Sequence, residues 1–254
     1  MARPLAIRRH NEIVQRLRAT GSVSVSELAK NFGVSHETIR RDLKVLAEQG
    51  HLDVVHGGAA RRGMMEPAIA QRLAENAAGK AAIARAAVRL VPEGGSVLLD
   101  SGTTTAALVF ELASRPGLTI CTNSLNHAMA LCRVPGNRVV MLGGEVDAND
   151  EATFGVGAVT GLDTVRADIA FVGVGGFAED GALTDYSHLA TELRGRMIQA
   201  GRAYLLADHT KFSRRTAFRV PHFDRAVGVI VDRAPDRTLA EKWAARGLEL
   251  IVAK

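Results

Sequence analysis

The chain has 254 residues, 47% of them hydrophobic, which is enough for a substantial core, and no apolar run reaches membrane-spanning length. Its net charge of +5 is confined to one end: residues 1–62 hold eleven Lys/Arg and six Asp/Glu, and the remainder holds 21 of each. Aromatics at 4% are too few for base-stacking platforms, and Cys121 and Cys132 lack metal spacing. With no signal-like apolar segment after Met1, they read as small core residues of a cytoplasmic protein.

Residues 6–19 predict a helix with Ile13, Val14 and Leu17 on one side and arginines around it; Thr20-Gly21 ends it. A short helix follows over 25–32, with Leu28 and Phe32 four apart, and Gly33-Val34 makes a tight turn. The next helix starts at Ser35, whose hydroxyl can accept from a free first-turn N–H. Ile39, Leu43 and Leu46 form its apolar stripe, while His36, Glu37, Arg40, Arg41 and Lys44 fall on the other side. A basic amphipathic helix by itself is commonly a solvated surface. Here the preceding helix and glycine turn make a helix-turn-helix, whose second helix enters the major groove of DNA. Ser35, His36, Glu37 and Thr38 are placed to reach base edges, and Arg40, Arg41 and Lys44 to hold phosphates. Gly50 stops the helix, Leu52–Val55 is a short strand, and His56-Gly57-Gly58-Ala59 ends it, forming a wing.

Residues 59–79, rich in alanine and charge with Pro67 inside, read as a linker carrying a short helix. From Lys80 the pattern changes. A helix over 80–90 is followed by apolar runs at Ser96–Leu99, Leu118–Cys121, Val139–Leu142, Ile169–Val174, Tyr204–Ala207, Val227–Val231 and Leu248–Val252. Helices are expected between them at about 103–114, 124–132, 187–200 and 236–246. This alternation predicts a mostly parallel sheet covered on both faces. The fold class is therefore α/β, with a winged helix-turn-helix domain over 1–58, a linker over 59–79 and a larger α/β domain over 80–254.

Ligands of open α/β sheets bind beyond the carboxyl ends of the strands, so the turns there are the candidates. Asp100-Ser101-Gly102-Thr103-Thr104-Thr105 leads straight into a helix, offering hydroxyls and free N–H groups to a phosphate, although by itself a Ser/Thr-rich helix start is more often plain capping. Thr122-Asn123-Ser124, Gly143-Gly144-Glu145, Gly173-Val174-Gly175-Gly176-Phe177 and Asp208-His209-Thr210-Lys211 end later strands, and Asp185 precedes the helix at 187. Lys211 can supply positive charge, and Phe177, Tyr186 and His188 are candidate pocket walls. The eight histidines are scattered, so neither a metal site nor a cofactor is expected.

Val34-Ser35-x-x-Thr38-Ile39-Arg40-Arg41-Asp42-Leu43, then Gly50 and His56-Gly57-Gly58-Ala59, resembles the signature of the DeoR family of bacterial transcriptional regulators. The family often carries a basic residue in the wing strand; here Asp53-Val54-Val55 stands there, which shifts the expected phosphate contact to Arg61 and Arg62, and His56 joins the DNA-binding set. Glu66 and Arg72 match the family's linker, as an interdomain contact or as a solvated segment. The strand-end elements, with Asp168-Ile169-Ala170-Phe171-Val172-Gly173 and Leu183-Thr184-Asp185, resemble the family's effector domain, which is similar in fold to ribose-5-phosphate isomerase. The resemblance implies a repressor of a sugar or polyol operon, bound to a double-stranded DNA operator as a homodimer or homotetramer and released by a phosphorylated sugar or polyol. Ser101–Thr105 would hold the phosphate, with Asp100, Asn123, Asp185 and Lys211 at hydroxyls or the phosphate edge. The alternative is an isomerase-like enzyme with an attached nucleic-acid domain, but the isomerase motif Asp-Gly-Ala-Asp-Glu is absent and no acid–base pair is suggested by spacing. A purely architectural DNA binder fits poorly with a neutral, pocket-forming larger domain.

Overall fold

The computed structural model describes residues 6–20, 22–55, 58–61, 66–214 and 216–254, with backbone alone at 18–20, 22, 55, 60 and 61. The chain divides into two units, residues 1–66 and 67–254.

In the first unit, α1 (Ala6–Thr20), β1 (Ser22–Ser24), α2 (Val25–Phe32) and α3 (His36–Glu48) precede an antiparallel ribbon of β2 (Leu52–Val55) and β3 (Gly58–Arg61). β3 lies between β1 and β2. Ile13, Leu17, Leu28, Phe32, Ile39, Leu43, Leu46 and Leu52 form one core. The turn between α2 and α3 is set by Gly33, left-handed at φ 64°, and the Val34 N–H donates to the Ala29 carbonyl at 3.1 Å. Past α3, Gly50 takes φ 76° and the His51 N–H returns to the Leu46 carbonyl, closing the helix as expected.

The second unit opens with α4 (Ile69–Ala74) and α5 (Ala77–Val88). Then come β4 (Ser96–Leu99), α6 (Thr103–Leu112), β5 (Thr119–Thr122), α7 (Leu125–Leu131) and β6 (Arg138–Met141). A hairpin of β7 (Glu145–Asp147) and β8 (Ala152–Phe154) leads to α8 (Val156–Gly161) and β9 (Ile169–Gly173). β10 (Gly176–Phe177), β11 (Leu183–Asp185), α9 (His188–Gln199), β12 (Arg202–Ala207), β13 (Phe218–Arg219), β14 (Gly228–Val231), α10 (Arg237–Ala244) and β15 (Glu249–Val252) complete the chain. Seven strands form a parallel sheet in the order β15-β14-β12-β9-β4-β5-β6. Alternate residues along each strand feed two cores. Val97, Leu99 and Phe171 pack under α5, α6 and α7 with Ile83, Leu108 and Leu131; Leu98, Ala170 and Val172 pack with Leu193, Met197 and Trp243 of α9 and α10. Burial on both faces explains the unbroken apolar runs. The chain winds outward from β4 to β6, then returns to the other side of β4 and winds away through β9, so β4 and β9 flank a topological switch point.

The stretch expected to be a linker, 59–79, is divided differently. Residues 58–61 pair as β3 in the first unit, while α4 and the start of α5 belong to the second. Arg72 is neither solvated nor placed in a loose segment: it is buried, and it donates to the Pro67 and Asn149 carbonyls and to Asp150. Cys121 is buried in the core, which pushes its thiol up to about 11, but Cys132 is exposed at the end of α7. The small β10-β11-β13 sheet and the β7–β8 hairpin fall outside the sequence expectations.

Candidate functional site

The face of α3 directed away from its core carries Ser35, His36, Glu37, Arg40, Arg41 and Lys44, all exposed, with Thr38 half-buried. The Ser35 hydroxyl caps the helix, accepting from the Thr38 N–H at 3.1 Å and lying 2.9 Å from the Thr38 hydroxyl. Thr38 is therefore engaged with the cap. Glu37 stands 3.7 Å from Arg40 and 3.9 Å from Arg41, loose exposed pairs that leave both guanidiniums available to an anion. On the opposite side, Asp42 is buried and accepts from Arg9 Nε at 2.8 Å and Arg9 Nη2 at 3.0 Å, with His10 Nε2 at 2.9 Å. This pair ties α1 to α3. Val54 is 56% exposed on the wing strand. His56, Gly57 and Arg62, and the side chain of Arg61, lie outside the described residues, and with them the expected wing contacts.

In the second unit the sequence-derived residues do gather at the carboxyl edge of the sheet. Asp100 and Ser101 follow β4, Thr122, Asn123 and Ser124 close β5, Gly173 and Gly175 stand at and beyond the end of β9, and Lys211 lies in the turn after β12. α6 begins at Gly102, with φ 120° and no side-chain cap. By contrast, Ser124 caps α7 and Ser187 caps α9. The threonines of α6 thus do not serve as its cap; Thr105 instead donates to the Gly102 carbonyl at 2.9 Å. Ser101, Thr103, Thr104 and Thr105 are buried around this start, at the switch point.

Asp100 and Asp185 are both held by partners within the protein. Asp100 accepts from the Ser101 N–H at 2.8 Å, the Gly173 N–H at 2.9 Å and Arg194 Nε at 2.7 Å. Asp185 accepts from the Tyr186 N–H at 2.8 Å and is also ion-paired to Arg194. Arg194, buried on α9, therefore bridges the two carboxylates, and all three act as a scaffold that fixes the Ser101 turn. Asn123 is likewise a support: its Oδ1 accepts from the Ser101 N–H at 2.9 Å and its amide donates to the Thr153 carbonyl at 3.2 Å. Thr122 accepts from the Ser124 N–H.

The glycines divide by role. A Cβ on Gly173 would stand 3.1 Å from Asp100 Oδ2, one on Gly175 2.8 Å from Asp185 Oδ2, and one on Gly144 2.3 Å from the Phe154 carbonyl, so these positions permit close packing. Gly143 is exposed with open space around it. Phe177 is fully buried with its ring 4.6 Å from that of Trp243, a core residue and not a pocket wall; His188 meets Phe218 edge-on at 5.8 Å. Asp168 lies at the opposite, amino edge of the sheet, bonded to the Ser96 N–H and hydroxyl.

Three further polar residues at the carboxyl edge were not anticipated: Arg194, Lys80 and His127. His127 on α7 is buried, which lowers its pKa to about 4 against the opposing pull of the Asp100 carbonyl, so it is neutral near pH 7. A surface hollow of about 560 Å³ is lined by Asp163, Arg166, Arg196 and Arg202 at the amino edge, away from these residues. No groups of three or more metal-ligating side chains come together among the described residues.

Residues 9–62 match the model of the DeoR-like helix-turn-helix domain, and residues 75–233 match that of the DeoR C-terminal sensor domain. The chain belongs to the DeoR family. The glycerol-3-phosphate regulon repressor of Escherichia coli K12 is 32% identical over 229 residues, covering 89% of this chain and 91% of that protein. The transcriptional repressor CsqR of the same strain is 30% identical over 246 residues, covering 96% and 94%. The regulator GolR of Listeria innocua is 30% identical over 249 residues, covering 97% and 98%. These DeoR relatives are named as regulators of transcription and not as enzymes. Among solved structures, ribose 5-phosphate isomerase A of Methanocaldococcus jannaschii aligns at a TM-score of 0.40 and 21% identity over 54% of this chain and 55% of that one, a likeness that assigns no chemistry to the DeoR chain. No helix among the described residues is long and apolar enough to cross a membrane.

Proposed function

We propose that this DeoR-family regulator is a cytoplasmic repressor of a sugar or polyol catabolic operon, and that a phosphorylated sugar or polyol releases it from its operator. A homodimer or homotetramer would place α3 of two copies in successive major grooves, with Arg40, Arg41 and Lys44 at phosphates and His36 and Glu37 at base edges. Ser101 and Thr103–Thr105 would take the effector phosphate. One observation carries this reading: α6 starts without a side-chain cap, at a glycine, among buried hydroxyls, at the sheet's switch point. Free N–H groups and the positive end of the helix dipole favour an anion there. To act as an inducer, the effector must bind the released state more tightly than the operator-bound one.

The test is a thermal-shift screen of sugar and polyol phosphates, each beside its unphosphorylated parent, followed by operator binding. A compound at a hundredfold over its dissociation constant should stabilise the protein by about 2.7 kcal/mol. The expected result is stabilisation by one phosphorylated compound, none by its parent, and loss of operator affinity. Equal stabilisation by compound and parent would refute the phosphate cradle.

A further inference from the structure

The parallel sheet ends at β6, and no strand lies beyond it among the described residues. The Arg138 N–H donates to the Leu118 carbonyl at 2.9 Å, and the Leu142 N–H to the Thr122 carbonyl at 2.8 Å. Backbone groups alternate along a strand, so Arg138, Val140 and Leu142 bond toward β5, whereas the N–H and C=O of Val139 and Met141 point outward. Edge strands are commonly blunted by proline or by charges along their length. β6 has no proline, and its single charge, Arg138, stands at its start.

The face that carries Val140 is open beside it. Val140 is 41% exposed, and it lines a hollow of about 370 Å³ together with Val97, Cys121, Arg138 and Val165. The carboxyl half of the strand is covered on this face: Leu142 lies beneath α8, where a Cβ on Gly161 would stand 3.2 Å from its side chain. At the opposite edge of the sheet, Leu250 and Ile251 of β15 pack against the two cores.

This edge is complementary to a second copy of itself. Antiparallel pairing about a twofold axis at Val140 sets Val139 opposite the partner's Met141, and Met141 opposite the partner's Val139. Both are hydrogen-bonded positions, so every outward backbone group of these residues finds a partner. Val140 then faces the partner's Val140 at a non-hydrogen-bonded position, with Cα atoms about 4.5 Å apart, so the two side chains meet. Arg138 meets the partner's Leu142 and not a like charge. The α8-covered half of one copy comes beside the open hollow of the other. α7 lies over β5 and β6, and strands are about 4.8 Å apart, so two copies of α7 approach to about 10 Å, the distance of packed helices. Leu125 and Met129 of α7 are exposed apolar side chains.

We propose that β6 is the surface through which two copies of the sensor unit associate, their sheets joining edge to edge. This rests on the two-copy reading of the repressor and deepens it by naming the interface. The match of outward groups, side chains and charge in one register selects a second copy as the occupant, because an isologous contact must be complementary to itself.

The test uses the full chain. Sedimentation equilibrium should show the wild type associated. Val140→Glu sets two carboxylates against each other at the axis, and Met141→Pro removes an N–H that a lone edge strand leaves to solvent. Each should weaken association at least about tenfold while circular dichroism stays that of the wild type. In a Cys132→Ser background, Val140→Cys should crosslink two copies on mild oxidation, and Val252→Cys on β15 should not. The crosslink decides the matter if either of the first two variants fails to fold. A monomeric wild type overturns the two-copy reading and this interface together. An associated wild type overturns the interface alone if Val140→Cys fails to crosslink, or if Val140→Glu and Met141→Pro fold and associate unchanged.

Discussion

Asp42→Ala should loosen the helix-turn-helix unit without touching the exposed face of α3. The carboxylate is buried between Arg9 and His10, at 2.8 and 3.0 Å from the guanidinium and 2.9 Å from the imidazole. Removing one partner of a buried pair costs about 3–5 kcal/mol, because the other charge stays desolvated. A unit of some sixty residues has a stability on the order of 3–10 kcal/mol. The loss is therefore a large share of the whole, and it falls on the tie between α1 and α3. Hydrogen exchange of the full chain should show both helices losing protection while the second unit keeps its own, and operator affinity should fall with them. Asp42→Asn, which keeps an acceptor for Arg9, should lose less. Arg9→Met combined with Asp42→Leu removes both charges and should recover most of the stability, giving a strong coupling term in a double-mutant cycle. Wild-type protection of α1 and α3 in Asp42→Ala would show that the pair is incidental.

Arg40→Ala and Arg41→Ala should each weaken operator binding by about 1–3 kcal/mol while changing the melting temperature little, since their pairs with Glu37 are exposed; unchanged affinity in electrophoretic titrations would remove this helix face from the interface. Thr103→Asp puts a negative charge at the uncapped start of α6, so it should abolish the effector response yet leave operator binding intact; a variant released as readily as the wild type would move the cradle elsewhere. His127 gives the second unit an acid-sensitive stability. Its pKa falls from 6.5 to about 4 on folding, so the unfolded state binds the extra proton between those values, and stability present above pH 6.5 is lost as pH falls. Between pH 7 and 5 this contributes about 2 kcal/mol, which urea titrations should resolve, and His127→Gln should flatten that slope. An unchanged slope in the variant would assign the acid sensitivity to other groups.

Much of the fold was legible because its signals are local. Ser35 as a cap, Gly33 and Gly50 as stops, and Leu28 with Phe32 are each read within one or two helical turns, and all three kinds of signal reappear in the structure. The inner sheet strands were legible as apolar runs because both faces are covered, and the partly exposed edge strands β6 and β15 keep apolar runs as well. Strands of two or three residues, as in β7, β8, β10, β11 and β13, carry no period and were missed. The polar clustering at strand ends was also legible, but its division of labour was not. Asp100, Asn123 and Asp185 look from sequence like ligand contacts, whereas the structure occupies their oxygens with backbone N–H groups and Arg194.

A signal for the missed residues was nonetheless present, in the register of the helices. Arg194 lies among Ala190, Leu193, Met197 and Ile198, the inward positions of α9. Lys80 lies in line with Ile83, Ala84 and Ala87 on α5, and Asp42 with Ile39, Leu43 and Leu46 on α3. An ionisable side chain on the buried stripe of a helix breaks the pattern that otherwise defines the helix, and desolvation makes that costly unless a partner waits inside. Asp42 finds Arg9, and Arg194 finds Asp100 and Asp185, so both are satisfied within the protein. Lys80 finds a backbone carbonyl and the neighbourhood of an aspartate that still has an unpaired oxygen. The same break in register thus marks two side-chain ion-pair ties and one ammonium held by a backbone carbonyl.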